Sequence, residues 1–210
     1  RLGALADRDR WSSDRVGDEW GTRYGVRGQA FLADEIWLSG SLWVLDMDDQ
    51  KDHWGGDLAL RLPNPWLSGY LYLTASREEI ETVEALRANI DANTYALRTY
   101  TRLCDVWDLF ADLSETMRSD GNNTTMLDGR LLYRVQAWPY VGVGWRFRVA
   151  DSDRDPPEYW APEGLQQHQA HITVRGASGR LSYSASAEAG MAEERGTNWQ
   201  FVWGARGTAD

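Results

Sequence analysis

Between Asp128 and Asp153 the chain alternates two chemistries with a period of two. In the first run Gly129, Leu131, Tyr133 and Val135 share one face, and Arg130, Leu132 and Arg134 share the other. In the second, Val141, Val143, Trp145, Phe147 and Val149 oppose Gly142, Gly144, Arg146 and Arg148. A helix cannot sort residues this way, because its side chains repeat every 3.6 positions. The join is short and contains Pro139, which suits a hairpin.

The pattern recurs along the chain. Trp20, Tyr24 and Val26 oppose Arg23 and Arg27; Leu38, Leu42 and Val44 oppose Trp37, Ser39, Ser41 and Trp43. Leu58, Leu60 and Leu62 oppose Asp57 and Arg61; Leu71 and Leu73 oppose Tyr70 and Tyr72. Leu97, Thr99 and Thr101 oppose Arg98, Tyr100 and Arg102; Leu109 and Leu113 oppose Asp108, Phe110 and Asp112. After the hairpin, Ile172 and Val174 oppose His171 and Arg175, Tyr183 and Ala187 oppose Ser184 and Glu188, and Phe201 and Trp203 oppose Gln200 and Arg206. Ile80, Val83 and Leu86 break the rhythm at helical spacing, which predicts a short helix inside the long connection 76–93.

The connections alternate as well. Short turns are expected at 33–35, 63–65, 104–105, 136–138 and 176–179, and long ones at 46–52, 76–93, 117–124, 151–166 and 191–197. Short turns at one end and long loops at the other characterise outer-membrane barrels, as do strands of about ten residues. An even barrel with both termini at the short-turn end needs one more strand before Glu19. The expectation is an all-β, antiparallel, up-and-down transmembrane β-barrel of about 12 strands, with a weak first strand and loop over 1–18 and the rest of the barrel over 19–210.

Composition narrows the function. A net charge of -10 argues against nucleic acid as a partner of the surface as a whole. One cysteine, Cys104, precludes an internal disulfide, and three histidines make a His-rich metal centre improbable. No apolar run is long enough for a transmembrane helix, and the opening Arg1 reads as a processed or truncated terminus.

If the apolar faces meet lipid, the other faces line a lumen. Arg23, Arg27, Arg61, Arg98, Arg102, Arg130, Arg134, Arg146, Arg148 and Arg175 would point inward, with Asp108 and Asp112, and with Arg180, Arg206, Asp57, Asp128 and Glu188 beside them. The interior of an acidic chain would then be net basic, and guanidinium groups grip carboxylate or phosphate in two-pronged fashion. Trp37, Trp43, Tyr70, Tyr72 and Tyr100 on the same faces are candidates for stacking on sugar rings. The same charges also read as ion pairs that fill a narrow barrel. Trp20, Trp54, Trp107, Trp138 and Trp199, near strand ends, fit aromatic girdles at the two membrane interfaces.

No catalysis, cofactor or metal is expected. Asp108 and Asp112 share a face at i, i+4, but ion pairing with Arg98 or Arg130 explains them more simply. His171 near Asp112 would be the nearest thing to a hydrolytic pair, without a triad signature around it. The loop D-M-D-D-Q-K-D lacks the glycine and terminal glutamate of an EF-hand.

At S-D-G-N (Ser119–Asn122), L-D-G-R-L-L-Y-R (Leu127–Arg134) and Y-W-A-P-E (Tyr159–Glu163), with E-T-V-E-A-L (Glu81–Leu86), the sequence resembles the C-terminal barrel of exopolysaccharide-export outer-membrane proteins. These are the porins that follow tetratricopeptide repeats in poly-N-acetylglucosamine and cellulose secretion systems. The resemblance covers mainly residues 80–175; no helical repeats are present here, and the chain ends in G-T-A-D rather than on an aromatic residue. It implies a channel in a bacterial outer membrane for saccharide or other polar or anionic solutes, with outer-membrane lipid, a polysaccharide and periplasmic or envelope proteins as partners. Two alternatives fit the same alternation: a structural barrel anchoring an envelope assembly, and a soluble barrel with apolar residues inside around a ligand.

Overall fold

The computed structural model describes residues 2–13, 17–47, 52–65, 67–80, 82–179 and 181–209. The Trp20 side chain, Arg180 and most of the acidic loop 46–52 lie outside the described residues.

The chain is all-β with one short helix. Its strands are β1 (Leu2–Ser13), β2 (Gly17–Ala33), β3 (Ile36–Met47), β4 (His53–Pro63), β5 (Ser68–Glu79) and β6 (Asp91–Cys104), followed by β7 (Trp107–Arg118), β8 (Asn123–Gln136), β9 (Tyr140–Ser152), β10 (Leu165–Ser178), β11 (Leu181–Glu193) and β12 (Gln200–Ala209). The helix α1 (Val83–Arg87) lies between β5 and β6. The strands form one 12-stranded sheet in sequence order, each hydrogen-bonded antiparallel to the next. The weak opening segment is thus a full strand: Leu2 pairs with Gly28 and Ser13 with Gly17.

Twelve residues at about 3.3 Å each, tilted by about 40°, rise about 30 Å, the height of a hydrocarbon layer. The sheet curls around a polar interior, as a barrel wall does. Arg146 on β9 reaches Glu188 on β11 across β10, and α1, leaving β5, approaches β1 and β2.

The two faces differ as the alternation demands. Buried side chains of the wall include His53, Asp108, Ser114, Thr124, Arg146, Gln169, His171 and Thr173. The opposite face exposes Val26, Leu42, Leu58, Leu73, Leu97, Leu113, Leu131, Val143, Trp145, Ile172 and Trp203. A water-soluble barrel buries the second set and exposes the first, so the arrangement is inverted relative to one. The outer wall is knitted by aromatics folded over glycines: a Cβ on Gly129 would lie 2.2 Å from the Phe147 ring, and one on Gly176 2.4 Å from the Tyr183 hydroxyl. Trp54 and Trp199 stand exposed near the long-loop end, and Trp107 and Trp138 near the short-turn end. Trp107 meets Tyr133 edge-on at 5.2 Å.

The strands run further than the alternation marks. Pairing extends into several of the expected loops, so loop 119–122 is no longer than turn 64–67, while 80–90 and 153–164 stay long and 194–199 exceeds every turn at the opposite end. Thr101, placed by parity among the outward residues, is 2% exposed, because Asn64 in the β4–β5 turn folds back and donates to its hydroxyl at 2.9 Å.

Candidate functional site

The inner face carries two carboxylate hubs. Asp108, 2% exposed, sits low on β7, where the register brings Arg102 and Leu132 opposite it. Arg134 donates to both its oxygens at 3.2 and 3.1 Å, Tyr140 donates at 3.2 Å and Tyr100 at 3.3 Å, and Arg102 Nε lies 3.6 Å away. Asp128 on β8 is the second hub. Arg146 donates to it through Nε at 3.0 Å and Nη2 at 2.5 Å, Arg148 through Nη2 at 2.9 Å, and Arg130 Nε stands 3.9 Å off. Arg146 spans onward to both oxygens of Glu188 at 2.7 and 2.9 Å, and His171 Nδ1 lies 3.5 Å from the same carboxylate. Such a network offsets the desolvation cost of half-buried charge and ties the wall together from β8 to β11.

The remaining expected lining residues are distributed around the wall. Arg98 pairs with Asp112 at 2.6 Å. Asp108 and Asp112 are therefore neighbours on one strand with separate partners, not a carboxylate pair. His171 faces Glu188 and not Asp112, so the hydrolytic pairing does not form. Arg61 lies 3.4 Å from the Tyr70 ring centre and 5.0 Å from that of Trp37, and Arg23 lies 5.5 Å from that of Trp43. Trp37, Trp43 and Tyr70 are thus occupied by guanidinium groups of the protein itself, while Tyr100 packs against Phe110 at 4.8 Å. Arg27 lines a cavity with Ser41 and Asp57, whose side chains hydrogen-bond each other, and Arg175 lies 5.2 Å from the Tyr140 ring centre.

At the long-loop end the motifs singled out in the sequence meet in space. Asn122, fully buried, donates through Nδ2 to the Tyr159 hydroxyl at 3.0 Å and to the Arg154 carbonyl at 3.1 Å, and its Oδ1 accepts from Arg154 N at 3.0 Å. Tyr159 donates to Asp120 at 2.7 Å. Burial alone would raise the Asp120 carboxyl; the Tyr159 hydroxyl, the Asn122 backbone N–H and the charges of Arg154 and Arg118 outweigh it and hold Asp120 below the usual carboxylate range. Burial, reinforced by Asp120, pushes the Tyr159 phenol up.

The helix α1 joins this cluster. Thr82 caps it by accepting from Ala85 N, and the same hydroxyl donates to the Glu158 carbonyl at 2.5 Å. Ala85, Ile90, Tyr159 and Ala161 form one apolar cluster, and Leu86 packs with Leu45 and Met47 from β3. The connection 80–90 thus crosses the interior at the mouth, between β3 on one side and the 153–164 loop on the other. Periodicity gave no sign of this packing; the short motifs were the only signal.

Among the described residues no group of three His, Cys, Asp or Glu side chains converges as a metal site, and no helix is long and apolar enough to cross a membrane, which says nothing of crossing by strands.

No family model matches the sequence. No curated protein matches it either. Among solved structures, one described as a bacterial polysaccharide outer membrane secretin superposes with a TM-score of 0.68 at 15% sequence identity, over 89% of this chain and 65% of that one. At that identity the likeness is one of fold. The protein is thus similar in its β-rich architecture to an outer-membrane secretin, and spans 65% of that chain's length.

Proposed function

We propose that the chain is a bacterial outer-membrane barrel that passes saccharide or other polar, anionic solutes, with its long-loop mouth closed at rest by the 80–90 and 153–164 loops. One observation carries the reading: an arginine-rich polar face is turned inward while leucine, valine and tryptophan cover the outside. A hydrocarbon surround makes that distribution favourable, since exposing a continuous apolar wall to water is unfavourable. The fold shared with a polysaccharide secretin and the motif resemblance to export porins support polymer passage. On this reading the chain does no chemistry on its cargo.

Purified protein in a planar lipid bilayer tests the proposal. Discrete conductance steps, larger when loop 80–90 is shortened, are the expected result. The packed mouth also suits a second reading, a plugged structural barrel. A folded protein that stays silent with and without loop 80–90 would favour that reading.

A further inference from the structure

One cavity on the inner face lies beside the Asp128 hub and shares Arg130 and His171 with it. It holds about 400 Å³ between β7 and β12, within the range of small-ligand sites. Arg130, Arg175 and Arg206 line it, with Phe110 as an apolar wall and the Ser184 and Ser186 hydroxyls alongside. The nearby acids are already engaged. Asp128 is held by Arg146 and Arg148, and Glu188 by Arg146. Arg130 approaches Asp128 only to 3.9 Å. Arg206 donates its Nε to Ser186 at 3.1 Å, and Arg175 lies beside the Tyr140 ring. Among the described residues neither Arg175 nor Arg206 has a carboxylate within ion-pair distance.

We infer that this cavity is a binding subsite for an acidic sugar unit, its carboxylate, or an equivalent sulfate or phosphate substituent, received by Arg175, Arg206 and Arg130 while the ring lies toward Phe110. Guanidinium forks bind such oxyanions in pairs of parallel hydrogen bonds, and hydroxyls beside them suit the sugar's own hydroxyls. The subsite deepens the channel proposal by naming the charge of the cargo, and binding itself does not depend on conduction.

Titration calorimetry on the full chain in detergent micelles, with tetragalacturonate as the probe, tests it. The neutral N-acetylglucosamine tetramer and the cationic glucosamine tetramer serve as comparators. The acidic tetramer is expected to bind at least about tenfold more tightly than the neutral one, and the cationic one to bind more weakly still. Arg175→Gln and Arg206→Gln should each weaken the acidic tetramer about tenfold, since both side chains are exposed to the cavity and their loss leaves the wall intact. Arg206→Lys should recover part of that loss. Equal affinity for the three tetramers, or variants that bind the acidic one unchanged, would overturn the inference. Binding without bilayer conductance would support the subsite and remove the channel; conductance with no preference for the acidic probe would do the reverse.

Discussion

Tyr159 donates its phenolic hydrogen to Asp120 at 2.7 Å, and so ties the β9–β10 loop to the β7–β8 turn. Through Asn122 the same bond reaches Arg154, and through the Ala85–Tyr159–Ala161 cluster it reaches α1. The 80–90 and 153–164 loops are held together by this assembly rather than by any single contact.

Asn122→Ala should therefore loosen the mouth without unfolding the wall. It removes the partner of Arg154 N and two donors from a fully buried position, at a cost of about 2 kcal/mol. Amide hydrogen exchange over 82–90 and 153–164 should rise by at least tenfold, while β8 and β9 stay protected. Faster exchange throughout the sheet would show that Asn122 supports the wall instead.

Acid should have a related effect. Asp120 has a depressed carboxyl in the folded protein, so its contribution to holding the mouth is complete above its ordinary value. It fades as pH falls below that value toward the lower folded one. Channel openings should grow more frequent below about pH 4, where an ordinary aspartate is about half protonated, and Asp120→Asn should already show frequent opening at neutral pH. Openings in the Asp120→Asn protein that still respond to acid as strongly as wild type would assign the effect to another group.

Asp108→Asn probes the wall itself. The charge that Arg134 and Arg102 surround would vanish while both guanidinium groups stay in place, 18% and 45% exposed. Breaking such a partly buried cluster costs about 3–5 kcal/mol. Urea unfolding in lipid vesicles should shift to lower denaturant, and Asp112→Asn, whose partner Arg98 is 56% exposed, should shift it much less.

The strand framework was legible because alternation is a local property. Parity alone placed Arg146 and Arg148 inward and Val143 and Trp145 outward, and the hairpin register then puts Arg148 opposite Asp128. The missing first strand followed from counting turn directions. What parity could not show was anything made by loops. Thr101 is buried by a turn that folds back and Asn122 finds Arg154 through loop conformations with no period, while His53 on β4 reaches past β5 to Asp91 on β6 at 3.0 Å, a contact set by register rather than parity. That Arg175 and Arg206 have no carboxylate at ion-pair distance among the described residues was equally invisible, since it depends on which acids the neighbouring arginines have taken.

Leu97 and Arg98 are consecutive on β6, both largely exposed at 43% and 56%, and they lie on opposite faces. In a Cys104→Ser background, spin labels at Leu97→Cys and Arg98→Cys in reconstituted protein report which face meets hydrocarbon. Oxygen, which concentrates in the bilayer, should relax the label at 97, and a water-soluble nickel chelate the label at 98. The reverse pattern, or chelate access at both positions, would contradict the outward placement of the apolar face and with it the channel.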